Sequence, residues 1–185
     1  MLTKLSETLK KYAKGWIVLV FFALDVFFNA IVLSGQGAKL EASSGGIGSI
    51  DLMFFYTPEK VYSMIHSYGE AGRAMYRTFE LTGDILYPIV YTLFFSLAIT
   101  WFFQHGIAKG SKMQSLNVLP FGAWLFDLLE NLSIVTMLSI YPSQPAILAW
   151  VGSVFTMVKW LFAGATIVLL VIGIVAAIRK AFKRK

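Results

Sequence analysis

A chain of 185 residues with 57% hydrophobic and 14% charged side chains carries too few charges for an ordinary water-soluble domain, where about 25% is usual. A formal charge of +6 raises nucleic acid as a partner. The basic residues, however, stand beside apolar runs, which suits lipid headgroups and topology signals, so no nucleic acid is expected. The absence of cysteine excludes a disulfide, a thiolate nucleophile and a cysteine-ligated metal.

The mean hydropathy is +0.70, and the apolar residues fall in runs long enough to cross a bilayer. The expected class is an all-α integral membrane protein, a four-transmembrane-helix bundle forming one domain over residues 1–185. The site expected is the cell or cytoplasmic membrane.

In chain order, residues 1–14 read as an amphipathic helix on the membrane surface. Leu2, Leu5, Leu9 and Tyr12 lie on one side, with Lys4, Lys10, Lys11 and Lys14 among the others. The first span covers about 15–33 and contains Asp25 and Asn29, which share a helix face at i, i+4. The apolar stretch is long for a signal peptide, holds an aspartate and lacks an A-x-A site, so a retained span is expected. Residues 34–83 form the only long connection, an outer extramembrane segment with helices of its own. It opens with the flexible-looking SGQGAKLEASSGGIGS and continues into an interfacial patch at 50–56. Thr57-Pro58-Glu59 is a helix-start signal, a capping hydroxyl followed by proline and an acid. The helix it opens carries Val61, Tyr62, Met64 and Ile65 as its buried side. A second helix follows Gly69, with Arg73, Arg77 and Glu80 at spacings that lead on to Asp84 along one side.

The second span covers about 84–103, with Pro88 predicted to bend it and Tyr87 and Tyr91 suited to an interfacial belt. A polar turn leads to a third span at about 117–141. A Pro-Ser-Gln-Pro turn then leads to a fourth at about 146–178, ended by a basic tail. The inner segments of a topology with both termini cytoplasmic hold eleven of the sixteen basic residues, which favours that orientation.

The third span holds Asp127, Glu130 and Asn131 on one face, at i, i+3 and i+4. An acid at the centre of a lone inserted helix costs about 2.5–3.5 kcal/mol, so partners are required. Asp127 lies about 15 residues before the 142–145 turn and Lys159 about 14 after it. At about 1.5 Å per residue both sit about 20 Å below the turn, on antiparallel neighbours. Lys159 is thus the expected partner of Asp127 or Glu130, and Asp25 and Asn29 the expected facing wall. One lysine cannot neutralise all of these acids, and the surplus marks a functional candidate.

The candidate site is a polar pocket walled by Asp25, Asn29, Asp84, Asp127, Glu130, Asn131 and Lys159. It would take a lipid-like or cationic small molecule, with membrane lipids as partners. One alternative is a lipid-modifying enzyme using Asp127 or Glu130 as acid or base, with Arg73 and Arg77 holding a phosphate headgroup. Another is an ion or proton pathway, or an accessory transporter subunit, which four spans would support as a homo-oligomer. No catalytic residue is assigned and no cofactor or metal is expected: zinc-protease, P-loop and nucleophile-elbow motifs are absent. His66 and His105 read as solvated residues. Asn131-Leu132-Ser133 matches a glycosylation acceptor but lies within a span.

Four spans with inward-facing acids at Asp25, Asp84, Asp127 and Glu130 resemble the sterol-isomerase and sigma-2-receptor class of four-helix membrane proteins. That resemblance implies an intramembrane cavity for amine or sterol-like ligands. The class's histidine-plus-glutamate pattern is missing from this chain, so no catalytic residue is carried over.

Overall fold

The structure is a computed structural model. It describes residues 2–183, and among them every regular element is a helix. Helix α1 (Leu2–Tyr12) leads to α2 (Gly15–Phe27), which continues through a π-helical turn (Phe28–Leu33) into α3 (Ser34–Ser44). The Gly/Ser-rich stretch after residue 33, expected as a flexible loop, is therefore helical for a further three turns. Its weak intrinsic propensity is overridden by packing on α5 (Gly69–Glu80). Leu40 is buried there, and Ser43 lies against Gly72, where a Cβ would stand 3.1 Å from Ser43 Oγ. The helix ends at Gly45, whose φ of 71° is the left-handed conformation glycine accepts without a steric penalty.

Residues 45–57 are irregular. Helix α4 (Pro58–Ser67) starts at the predicted signal, with Thr57 Oγ1 accepting from Lys60 N at 3.3 Å. The Glu59 carboxylate is held below its usual pKa by its own backbone N–H and then by the Thr57 hydroxyl. Val61, Tyr62, Met64 and Ile65 are all buried. Helix α6 (Gly83–Gly106) runs on through Pro88. A 3₁₀ helix (Lys112–Val118) precedes α7 (Pro120–Ile140), and α8 (Ala146–Phe182) closes the described chain.

Four helical stretches are long and apolar enough to cross a membrane: Gly15–Ser44, Gly69–Gly106, Lys112–Ile140 and Ala146–Phe182. By length and composition this is a multi-pass membrane protein. Helix α8, at 37 residues, is about 55 Å long and exceeds a hydrocarbon core of about 30 Å.

The chain divides into two compact units. The first comprises Met1–Asp25, Ile89–Trp124 and Leu161–Lys185. Here α1 packs on the 3₁₀ helix. Within the protein Ser6, Leu9 and Ala13 are buried and Leu5 packs against them, while Leu2 and Tyr12, from the same apolar stripe, are exposed. Asn117 Nδ2 donates to the Thr100 hydroxyl at 2.9 Å, and Gln104 Nε2 to the Lys10 carbonyl at 2.9 Å. Small residues allow this close approach. A Cβ at Gly106 would run into the backbone at Ala176 and Ala177, and one at Gly122 into the Phe162 ring.

The second unit comprises Val26–Pro88 and Leu125–Trp160. Its core holds Leu40, Ile50, Tyr56, Val61, Tyr62, Met64, Ile65, Tyr68 and Tyr76 from the 34–83 connection, with Ile134, Met137, Leu138 and Ala149 from α7 and α8. The connection thus supplies nine of thirteen buried core residues, which makes it the main builder of this unit.

Candidate functional site

The site is built where α7, α8 and the irregular 45–57 segment meet in the second unit. Helix α7 presents Asp127, Glu130 and Asn131 on one face, and α8 presents Ser153, Thr156 and Lys159 at intervals of three. Lys159 Nζ is ion-paired to Glu130 Oε2, lies 3.4 Å from Asp127 Oδ1 and donates to the Asp51 carbonyl at 3.1 Å. An ammonium has three protons, and these three oxygens account for them. Glu130 Oε1 accepts from the Thr156 hydroxyl at 2.7 Å. The group is deeply buried, with Glu130 at 0%, Asp127 at 5% and Lys159 at 9% exposure.

The segment that supplies Asp51 lies along α8. Ser153 Oγ accepts from Tyr56 N at 3.0 Å, and Trp160 Nε1 donates to the Met53 carbonyl at 2.9 Å. Irregular backbone beside a membrane helix needs such partners, because lipid provides none. The Tyr76 hydroxyl donates to Asp51 Oδ1 at 2.7 Å and accepts from Ile50 N at 3.0 Å. The Tyr68 hydroxyl donates to the Gly48 carbonyl at 2.8 Å. Burial raises the phenol pKa of both Tyr56 and Tyr68.

A second polar node adjoins the first. Asn131 Nδ2 donates to Asp84 Oδ2 at 2.7 Å and to the Asp84 carbonyl at 3.0 Å. Asp84 stands in the first turn of α6, where the N-terminal end of the helix dipole favours a negative charge. This contact sets the middle of α7 level with the start of α6. The last turns of α7 and the first of α8 continue beyond it. Tyr62 holds them there through the Pro145 carbonyl, at 3.0 Å, and His66 through the Tyr141 hydroxyl, at 2.7 Å. Glu80, at the end of α5, is 1% exposed, and its Oε2 has no hydrogen-bond partner among the described residues. Asp84, Asp51 and Glu130, and also the Lys159 ammonium, are near enough for their charges to act on it.

Five predicted residues, Asp84, Asp127, Glu130, Asn131 and Lys159, come together in this unit. Asn29 is exposed, and its amide donates to the Tyr87 hydroxyl at 2.8 Å. An exposed residue does not wall a buried cluster. Asp25 belongs to the other unit.

Among the described residues neither Arg73 nor Arg77 forms an ion pair with Glu80 or Asp84. Arg73 instead donates to the Ile65 carbonyl at 3.2 Å and lies over the Tyr141 ring, 4.4 Å from its centroid. The predicted continuous face is broken because α5 ends at Glu80 and α6 begins at Gly83. The buried side of α5 is Gly72, Tyr76 and Glu80, and both arginines stay half-buried on its flanks.

Asp51, Tyr76 and Thr156 are the cluster members that sequence reasoning missed, and Glu80 joins them rather than the arginines. Asp51 stands in an irregular segment with no period to read. For Tyr76 and Glu80 the i, i+4 spacing was a usable signal. Among the described residues no three His, Asp or Glu side chains form a group that could hold a metal ion. No protein-family model, no curated protein and no solved structure matches the chain.

Proposed function

We propose that this is a multi-pass membrane protein with both termini cytoplasmic, which binds a cationic or lipid-like small molecule through the carboxyls around Lys159. One observation carries the reading. Glu80, Asp84, Asp127 and Glu130 are all buried, and Lys159 is the ammonium set among them, ion-paired to the last two. A buried carboxyl is costly to ionise without a cation beside it, and the cationic group of an amphiphile would supply one. The Glu80 Oε2 atom offers an acceptor for that group.

Native mass spectrometry of the gently extracted protein tests the reading. A bound amine or cationic amphiphile is expected on the parent chain and lost from Asp127→Asn and Glu130→Gln. If both variants hold the same ligand as the parent, the cluster is structural packing alone. The enzyme alternative draws less support, because Arg73 is already engaged by Tyr141 and Ile65. The surplus of carboxyls also suits a proton pathway. Proton flux into liposomes carrying the protein, abolished by Glu80→Gln, would favour that reading over ligand binding.

A further inference from the structure

A groove of about 680 Å³ opens in the second unit, between the 31–39 stretch of the first apolar element and residues 74–83 at the α5–α6 junction. None of the carboxylate-cluster residues lines it. Its volume falls within the range of about 300–1,000 Å³ usual for small-ligand sites.

The wall formed by the first element is graded. Ile31, Gly35 and Lys39 all line the groove and lie at i, i+4 and i+8 on one helix face. Over about 12 Å that face passes from an aliphatic side chain, through a residue with none, to a cation. On the same wall Val32 adds to the apolar end and Gln36 adds an amide at the polar end, while the facing wall brings Met75 and Phe79 with the hydroxyls of Thr78 and Thr82. The gap at Gly35 is open, since a Cβ there would meet nothing within 4 Å. The apolar end also faces outward: Ile31 is 61% exposed, and neither α2 nor the π-helical turn buries a single residue. Lys39 is exposed and forms no ion pair among the described residues. A π-helical turn at Phe28–Leu33 widens the helix where the groove begins, a feature frequent at functional sites.

We propose that this groove holds an anionic phospholipid from the surrounding leaflet. Its phosphate meets Lys39 Nζ and the Gln36 amide, and one acyl chain lies over Ile31, Val32 and Phe79. Unpaired positive charge at the polar end selects for net negative charge in the headgroup. The groove is separate from the carboxylate cluster, so the proposal does not rest on a ligand being bound there.

The test is native mass spectrometry of the full chain in detergent, titrated separately with phosphatidylglycerol, phosphatidylcholine and inorganic phosphate. Phosphatidylglycerol is expected to be retained about five-fold more than phosphatidylcholine, and inorganic phosphate should not displace it. Lys39→Gln should erase that preference. Gly35→Leu should fill the groove and abolish retention. Gly37→Leu is the control: it makes the same change on the same helix, also into open space and outside the groove, and should retain lipid. Asp127→Asn should leave retention unchanged, which separates this site from the carboxylate cluster. Circular dichroism establishes that each variant is folded. If Gly35→Leu does not fold, the Lys39→Gln titration and the phosphate competition decide. The proposal is overturned by equal retention of the two lipids on the parent chain, by an undiminished preference in Lys39→Gln, or by lipid retention in a folded Gly35→Leu. Full displacement by inorganic phosphate would also overturn it, by marking a simple anion site.

Discussion

Lys159 is the residue on which the buried acids depend. Its Nζ meets Glu130, Asp127 and the Asp51 carbonyl, so Lys159→Met would leave two buried carboxylates without their cation. Removing one partner of a buried ion pair costs about 3–5 kcal/mol. A fall of that size is expected in the unfolding free energy measured by denaturant titration in detergent. A variant as stable as the parent would mean that the acids are held by something other than charge. Tyr76→Phe tests the next layer of contacts. It removes the donor to Asp51 Oδ1 and the acceptor for Ile50 N, both at a buried site, and should cost about 1–3 kcal/mol. The Lys159 pairing was readable in sequence because α7 and α8 are joined by a short turn, so counting residues from that turn measures depth. Asp51 and Tyr76 were not readable in that way. They reach the cluster through an irregular segment and a neighbouring helix, where residue counting measures nothing.

Among the elements, α8 shows how side-chain size governs contact. A Cβ at Gly152 would stand 2.6 Å from the Tyr56 hydroxyl and 3.1 Å from Ser133 Cβ. Tyr56 is 1% exposed and has little room to retreat. Gly152→Ala should therefore destabilise by about 1–3 kcal/mol through overpacking. At Gly164, on the same helix, a Cβ would meet nothing within 4 Å. There Gly164→Ala should be neutral or stabilising, by up to about 1 kcal/mol, through its gain in helix propensity. Thermal unfolding of the two variants side by side checks this, and equal shifts would refute the packing account. The α4 start was legible because its cap is a local signal. The helical state of Ser34–Ser44 was not, because it depends on Leu40 and Ser43 finding α5.

Over the whole molecule, the proposed orientation follows from the distribution of basic residues, and a chain without native cysteine is well suited to its test. Lys60→Cys and Lys109→Cys both replace exposed side chains. An impermeant maleimide applied to intact cells should label the first at once and the second only after permeabilisation. The reverse pattern would invert the topology. Both units bring backbone close through glycine, at Gly106 and Gly122 in the first and at Gly72 and Gly152 in the second, as is common where lipid competes for the apolar surface. The second buries tyrosines and branched aliphatic residues, as is usual where water drives the association. The sequence by itself determined the helical class, the four apolar stretches and the acids that share a face of α7, because length, composition and helical period are properties of the local chain. Only the tertiary structure decided that the 34–83 connection builds a core, that Asp51 and Glu80 join the buried acids, that Asn29 is exposed, and that Arg73 turns to Tyr141 and the Ile65 carbonyl. Those outcomes depend on which distant surfaces meet, and no local period records that.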